Sequence, residues 1–372
     1  MWKTYFKVAV RNLLRNRIYA AINIVGLAAG IACSIIVFLY LQNELSYDLP
    51  HENHDRIYRL GTVFRIHDKI ERLALSSRTM GPMIKEEFPD IQEIVRMSRV
   101  PRVQLNTPDT TLFAEGLMLA DSTVFDVFSH KLIYGDPKTA LRERNAIVLT
   151  ASLAKSLFGT RNPVGDSINV SNRMQYYVTG VMEDLPDNVH HQFSALISLH
   201  TMKGYAHRDL PDLKISLWSA TDLTFALFPP NYDIRKFTRW WPTFYQRHMA
   251  VIGHELSGQA ALFPEKLRDI HMNPRLHSDP FSSGNRSYLW AFSAIGLFIL
   301  VLACINYMNM ATARSTTRRR EVGLRKVMGA GRAELIGQFL GESLLIAFMA
   351  LLLALCFVEI VLELTPFNAM LN

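Results

Sequence analysis

Cysteine is scarce: three occur in 372 residues, and Cys33, Cys304 and Cys356 all fall inside long apolar runs. The stretch between those runs therefore carries neither a disulfide framework nor a thiolate metal site, and at its length it can bury a core without either. No GxxxxGK[ST] phosphate loop occurs, so this chain does not itself bind ATP in the usual nucleoside-triphosphatase manner. A GxSxG elbow and an HExxH pair are missing too. The histidines offer little in their place. His51 and His54 in HENH lack the four-residue spacing of a helical zinc pair and read as a solvated turn. His190 and His191 cannot both face one ligand from a strand, and His248 and His254, with Glu255, read as surface groups near a helix end. With no nucleophile and base pair and no metal set, an enzyme is the class least supported.

Charge is absent from Ile18 to Asn43 (26 residues) and again from Ser287 to Ala313 (27 residues). Each interval holds a run apolar for about 20 residues, the length that crosses a bilayer as a helix. A third run, Leu335 to Leu362, contains Glu342 as its single charge before Glu359. That carboxylate would lie ~10 Å inside the start of the run, near the headgroups. The layout this predicts is an amphipathic lead-in helix over 1–17, a first span over 18–41, an outer domain over 42–288, a second span over 289–311, a basic segment over 312–334, a third span over 335–362 and an outer tail over 363–372. The fold class is an α+β membrane protein: three transmembrane helices and a large extracytoplasmic α+β core domain with an inserted subdomain.

The formal charge of +7 is unevenly placed. Residues 1–17 hold five Lys or Arg and no acid, and Arg314 to Arg332 hold seven against Glu321 alone, whereas 42–286 carries 28 bases and 28 acids. The excess therefore sits at the inner membrane face, where the positive-inside bias puts short basic loops. A lipid bilayer or an acidic cytoplasmic partner accounts for it. Nucleic acid would need a basic stripe on the folded domain and is not a predicted partner.

Before the first span, Trp2, Phe6, Ala9 and Leu13 recur at helical spacing, while Lys3, Lys7 and Arg11 form another face and Arg15 follows. That pattern predicts an interfacial helix, with Trp2, Lys3, Lys7, Arg11 and Arg15 at the membrane surface. The charged start of a cleaved signal peptide would look similar, but the run from Tyr19 to Leu41 is longer than a usual signal core. Within the basic segment, Val322, Leu324 and Val327 lie among Arg320, Arg325 and Lys326, and Gly329-Ala330-Gly331 supplies a stop. The segment reads as a short amphipathic helix lying at the inner membrane face; a loop that merely fixes orientation has the same composition.

The outer stretch alternates short elements. Strands are predicted at Ile57–Ile66, Ile94–Arg99, Thr111–Leu119, Ala146–Thr150, Tyr176–Met182, Phe193–Leu199 and Thr221–Phe228, with helices at Ser76–Glu87, Ala151–Phe158 and Asp233–Met249. Turn signals place the inserted subdomain at about 138–215. The aromatic group Trp240, Trp241, Phe244 and Tyr245 suits either a packed amphipathic helix or a contact patch. In the second span, Asn306 and Asn309 are three apart, which suits amide packing between helices.

The run ACINYMNMATARSTTRRREVGLRKVMGAGRAELIGQFLGESLL, Ala303 to Leu345, resembles the signature of the MacB/FtsX/LolC-LolE class of ABC-transporter permeases. The resemblance extends over nearly the whole chain, from the basic lead-in through a MacB-like periplasmic core domain to the later spans. It implies an FtsX-like permease subunit in the cell inner (cytoplasmic) membrane, multi-pass, with its large domain in the periplasm. It further implies a separate ABC ATPase subunit that binds ATP and Mg, no cofactor on this chain, and pairing with a second permease copy or half. A periplasmic or outer-membrane partner is also implied. Coupling to the ATPase falls on Arg318, Arg319, Arg320, Glu321, Gly323, Arg325, Lys326 and Gly329. Motion would reach the periplasmic core by mechanotransmission, serving export or handling of a periplasmic substrate. Simple members have four spans and some have eight, so a three-span chain ending at TPFNAMLN is expected to be the first half of a longer permease or a truncated one. The alternative is a membrane-anchored sensor or scaffold regulating a periplasmic partner such as a cell-wall hydrolase.

Overall fold

The computed structural model describes residues 11, 14, 17–67, 69–202, 213–273, 276, 279, 281, 284–328 and 331–365, with backbone alone at 213, 214, 311, 313–321, 325, 334 and 338. Helices of two turns or more are α1 (Arg17–Leu45), α2 (Met80–Glu87), α3 (Ala151–Phe158), α4 (Arg235–His248), α5 (Arg286–Val327) and α6 (Arg332–Leu364); single turns are named by residue. The chain divides into a helical unit drawn from both ends of the sequence and a mixed unit, Ser46–Asn285.

In the helical unit all three expected spans lie in helices long and apolar enough to cross a membrane, at Arg17–Leu45, Arg286–Met310 and Leu335–Leu364. Small residues let them approach. A Cβ added at Gly30 would collide with the Cβ of Ala303, and one at Gly296 would lie 3.0 Å from Val37 Cγ1. Ser34 Oγ donates to Gly30 O at 2.8 Å on its own helix and reaches Gly296 O on α5 at 3.3 Å. On its other side α1 packs Ala28 and Ala32 against Ala350, Ala354 and Val358 of α6. Close backbone packing of this kind substitutes for the hydrophobic drive that lipid cannot supply. Asn306 Nδ2 sits 3.1 Å from where a Cβ on Gly26 would be, so this amide lies against α1, although both Asn306 and Asn309 are exposed.

Thirteen strands pair into one ladder among the described residues of the mixed unit. They are β1 (Ile57–Ile66), β2 (Lys69–Leu73), β3 (Glu93–Val100), β4 (Val103–Asn106), β5 (Thr111–Ala114), β6 (Leu117–Ala120), β7 (Leu132–Tyr134), β8 (Ala146–Thr150), β9 (Ser167–Val170), β10 (Met174–Met182), β11 (Ala195–Ser198), β12 (Leu223–Leu227) and β13 (Gly258–Lys266). The ladder runs β13-β1-β12-β3-β6-β11-β8-β10-β9-β4-β5, with β2 against β1 and β7 against β10. The β6–β11 and β8–β10 pairs are parallel and the others antiparallel.

Strand alternation sorts side chains into separate cores. Phe225 on β12 packs with Val95, Met97, Val124 and Leu267, while its neighbours Ala226 and Phe228 point to the side covered by α2 and α4. There Met80 and Ile84 meet Phe237, Trp241 and Phe244. Trp241 Nε1 donates to Ala260 O at 3.1 Å, and Tyr245 OH to Gly258 O at 3.1 Å. The aromatic group is thus chiefly the inner face of a packed helix. A third core joins Leu105, Ile147, Leu149, Leu157, Ile168 and Val178 beneath α3. It draws on residues before position 138 as well as after it.

Differences from the predicted elements have local causes. Thr111–Leu119 breaks between β5 and β6 at Gly116, whose φ of +73° turns the chain; glycine adopts that conformation without a Cβ penalty. The helix expected from Ser76 starts at Met80, because Ser76 N–H donates instead to Asp222 O at 2.8 Å in an isolated bridge.

Candidate functional site

The second span and the basic segment form a single helix. α5 continues without interruption for 42 residues, Arg286–Val327. At 1.5 Å per residue that is ~63 Å, about twice the hydrocarbon thickness of a bilayer. Its charge-free run ends at Ala313, so Arg314–Val327 adds about 20 Å of helix beyond it. The expectation of a separate short helix, set off from the span and lying at the membrane face, is corrected. No proline lies between Ala303 and Met328, Gly323 is the one glycine there, and Arg and Lys are good helix formers, so nothing ends the helix sooner. Met328 N–H closes the last turn on Leu324 O at 3.1 Å, just ahead of the glycines.

Arg318, Arg319, Arg320, Glu321, Gly323, Arg325 and Lys326 all lie on the helical backbone of this extension. Gly323 has open space where a Cβ would go, and Lys326 is exposed. Leu324, Val327 and Met328 are 66%, 88% and 77% exposed. The helix therefore ends in apolar side chains that nothing among the described residues covers. Gly329 lies outside the described residues, as do Trp2, Lys3, Lys7 and Arg15; Arg11 is helical and exposed. Glu342, on α6, is buried within the helical unit.

A second polar cluster lies in the mixed unit, where sequence reasoning saw only a solvated turn. His51 is 4% exposed, not solvated, and its Nδ1 accepts from Ser129 N–H at 3.3 Å. His190 and His191 are buried in an irregular loop before β11, not in a strand. Arg59 of β1 is fully buried and reaches Glu265 at 2.7 Å and Asp279 at 2.5 Å. Burial pushes Asp48 up to about 6, against the pull of the His190 backbone N–H. Burial also lowers His51 to about 4 and His130 to about 3, and holds His191 well below its usual value, so these rings are neutral at neutral pH. Burial would raise Asp279, yet His190 and the Arg59 guanidinium together hold it far down. No sequence signal could have assembled this group, because its members are scattered from position 48 to position 279.

His248 pairs with Glu87 at 2.5 Å, and His254 and Glu255 are exposed. Among the described residues no three of His, Cys, Asp and Glu converge where a metal could sit.

Residues 20–225 match the family described as the MacB-like periplasmic core domain, and residues 293–371 match the FtsX-like permease C-terminal region. The chain belongs to the MacB/FtsX permease family. Relatives include the macrolide export ATP-binding/permease protein MacB of Chlorobium luteolum, 22% identical over 364 residues, which cover 91% of this chain and 49% of that protein. The protein of the same name from Nitrobacter winogradskyi is 22% identical over 371 residues, covering 93% of this chain and 51% of its own. The MacB/FtsX chain thus spans about half the length of these relatives. A permease-protein domain from Porphyromonas gingivalis shares its fold, with a TM-score of 0.51 at 20% identity, over 58% of this chain and 91% of that one.

Proposed function

We propose that this MacB/FtsX-type permease is a non-catalytic subunit of an ABC transporter that turns ATP hydrolysis on a separate ATPase subunit into movement of a periplasmic domain. In this reading it crosses the cell inner membrane three times, with Ser46–Asn285 outside and the end of α5 inside. A second permease copy or half completes the assembly, ATP and Mg belong to the ATPase, and the work done is export or handling of a periplasmic substrate, with a periplasmic or outer-membrane partner.

One observation carries the reading: α5 passes unbroken from its apolar span into the cationic segment and ends at exposed Leu324, Val327 and Met328. A helix resists bending far better than a loop, so a push at that tip is delivered along the span rather than absorbed. The apolar tip suits a groove on the ATPase, and Glu321 and Arg325, four apart, can pair with each other or across the interface. Loss of either feature should uncouple the subunits. In membranes holding the chain and its ATPase, Glu321→Ala/Arg325→Ala should abolish stimulation of ATP hydrolysis while leaving insertion intact. Thr316→Pro, which breaks the helix between span and tip, should do the same. Full stimulation in both variants removes the coupling assignment.

A further inference from the structure

The chain has two covalent connections between its units, one arriving at Ser46 and one departing at Asn285. Inside Ser46–Asn285 the arriving and departing stretches are held by the same small group. Asp48, fully buried at a φ of 60°, donates its N–H to Asn188 O at 2.8 Å and accepts the His190 N–H on Oδ1 at 2.9 Å. Asn188 Nδ2 also donates to Ser46 Oγ at 3.0 Å. On the departing side, Asp279 lies 3.5 Å from His190 Nε2 and is bound by Arg59. Tyr47 stacks on His271 with ring centroids 3.4 Å apart, and Gly284 N–H donates to His271 O at 2.7 Å. His190 thus faces both stretches, with its backbone on the arriving carboxylate and its ring toward the departing one.

The polar atoms of this clasp are under-used. Asp48 Oδ2, His51 Nε2 and both ring nitrogens of His191 are buried without a hydrogen-bond partner. His191 is instead packed edge to face on Phe225 and Phe281, at 4.7 and 5.0 Å. His51, three residues past Asp48, meets His130 edge on at 5.2 Å. Among the described residues the imidazoles are faced by His54 and His190, by one buried cation, Arg59 of β1, and by three carboxylates, Asp48, Asp279 and Glu265, of which Arg59 bonds the last two. Among the described residues an imidazole that gains a proton here finds no free carboxylate except Asp48, whereas in water it is readily solvated.

We propose that this group is an acid-released clasp: proton uptake parts the arriving stretch at Ser46–His51 from the 186–193 loop and so frees the two connections from one another. The proposal concerns the chain alone and does not depend on an ATPase partner. His51, His130 and His191 have folded values below the ordinary 6.5, so their contribution to the closed state is present above 6.5 and is lost as pH falls through the window between 6.5 and about 4. Asp48 acts oppositely in an overlapping window, because its folded value of about 6 exceeds the ordinary 3.8 and acid favours keeping it buried. Three imidazoles against one carboxylate leave a net uptake on opening of about two protons, a ceiling of about a hundredfold per pH unit.

The test is hydrogen exchange of the whole chain in nanodiscs, with labelling times scaled to hold intrinsic exchange constant across pH. Protection of peptides 46–54 and 186–193 should fall at least about tenfold from pH 6.5 to 5.5, while β8 keeps its protection. His191→Phe, which suits the aromatic surroundings, should make the fall shallower. Asp48→Asn tolerates the positive φ, keeps an acceptor for His190, and should make it steeper. A β8 peptide losing protection in step would mean general acid unfolding, and a slope unchanged in both variants would mean the group takes up no protons on opening; either result overturns the clasp.

Discussion

Arg96 allows the energetics of the mixed unit to be tested with a predicted sign. It is 3% exposed on β3 and forks onto Asp121, with Nε on Oδ2 and Nη2 on Oδ1, each at 2.8 Å. Its Nη1 donates to Arg78 O at 2.9 Å, and Arg78 in turn forks onto the fully buried Asp222 at 2.7 and 2.9 Å. Arg96→Met keeps the stem's packing but strands a buried carboxylate that still accepts the Arg96 backbone N–H at 2.8 Å. Breaking one side of a buried pair costs about 3–5 kcal/mol, whereas removing both charges is far cheaper. Asp121→Asn added to Arg96→Met should therefore recover part of the loss, since the amide still accepts that backbone N–H and no unpaired charge remains. Urea unfolding of the whole chain in detergent would measure this, with Trp2→Phe and Trp290→Phe leaving Trp218, Trp240 and Trp241 as reporters inside Ser46–Asn285. At a slope of about 2 kcal/mol/M the single substitution should lower the midpoint by roughly 1.5–2.5 M. A shift under about 0.5 M, or a double variant less stable than Arg96→Met alone, would refute the reasoning that the pair is an interdependent buried charge unit.

Two further outcomes are expected. With the native cysteines replaced, Val37→Cys and Gly296→Cys should cross-link readily, because a Cβ at position 296 lies 3.3 Å from Val37 Cβ; Gly30→Ala should cut the yield severalfold by clashing with Ala303, and Ala303→Gly should restore it, whereas undiminished linking in Gly30→Ala would deny the close α1–α5 contact. Single cysteines at Asp136 and Asn231, both exposed, should react with an impermeant thiol reagent from outside the cell while one at Ser315 stays protected, and the reverse pattern would invert the proposed orientation.

Much of the architecture was legible because it follows local rules. β1, β8 and α3 run over the predicted residues, Ile57–Ile66, Ala146–Thr150 and Ala151–Phe158. Each is bounded by a chemical signal, such as Thr150 capping α3 by accepting from Leu153 N–H at 3.4 Å. The spans were legible from the absence of charge. What escaped reading depended on distant partners. Arg59 and Arg96 look like solvent-facing members of strands, and only Glu265, Asp279 and Asp121, far along the chain or just past the end of another strand, make their burial tolerable. The histidine group is the same case: burial, and not spacing, makes His51 and His191 notable, and burial is a tertiary property.

The basic segment was misjudged for a more instructive reason. Its composition changes sharply at Arg314, and a compositional boundary invites a structural one. Backbone conformation does not follow charge, however; it follows the supply of helix breakers, and Ala303 to Met328 holds no proline and Gly323 alone as a glycine. One helix can therefore be solvated by lipid over its first part and by water and a partner over the rest. For the coupling role proposed above, this continuity matters more than any single residue. A separate surface helix joined by a hinge would let the tip move while the span stayed still, whereas an unbroken α5 makes displacement of Leu324, Val327 and Met328 and displacement of the span a single event.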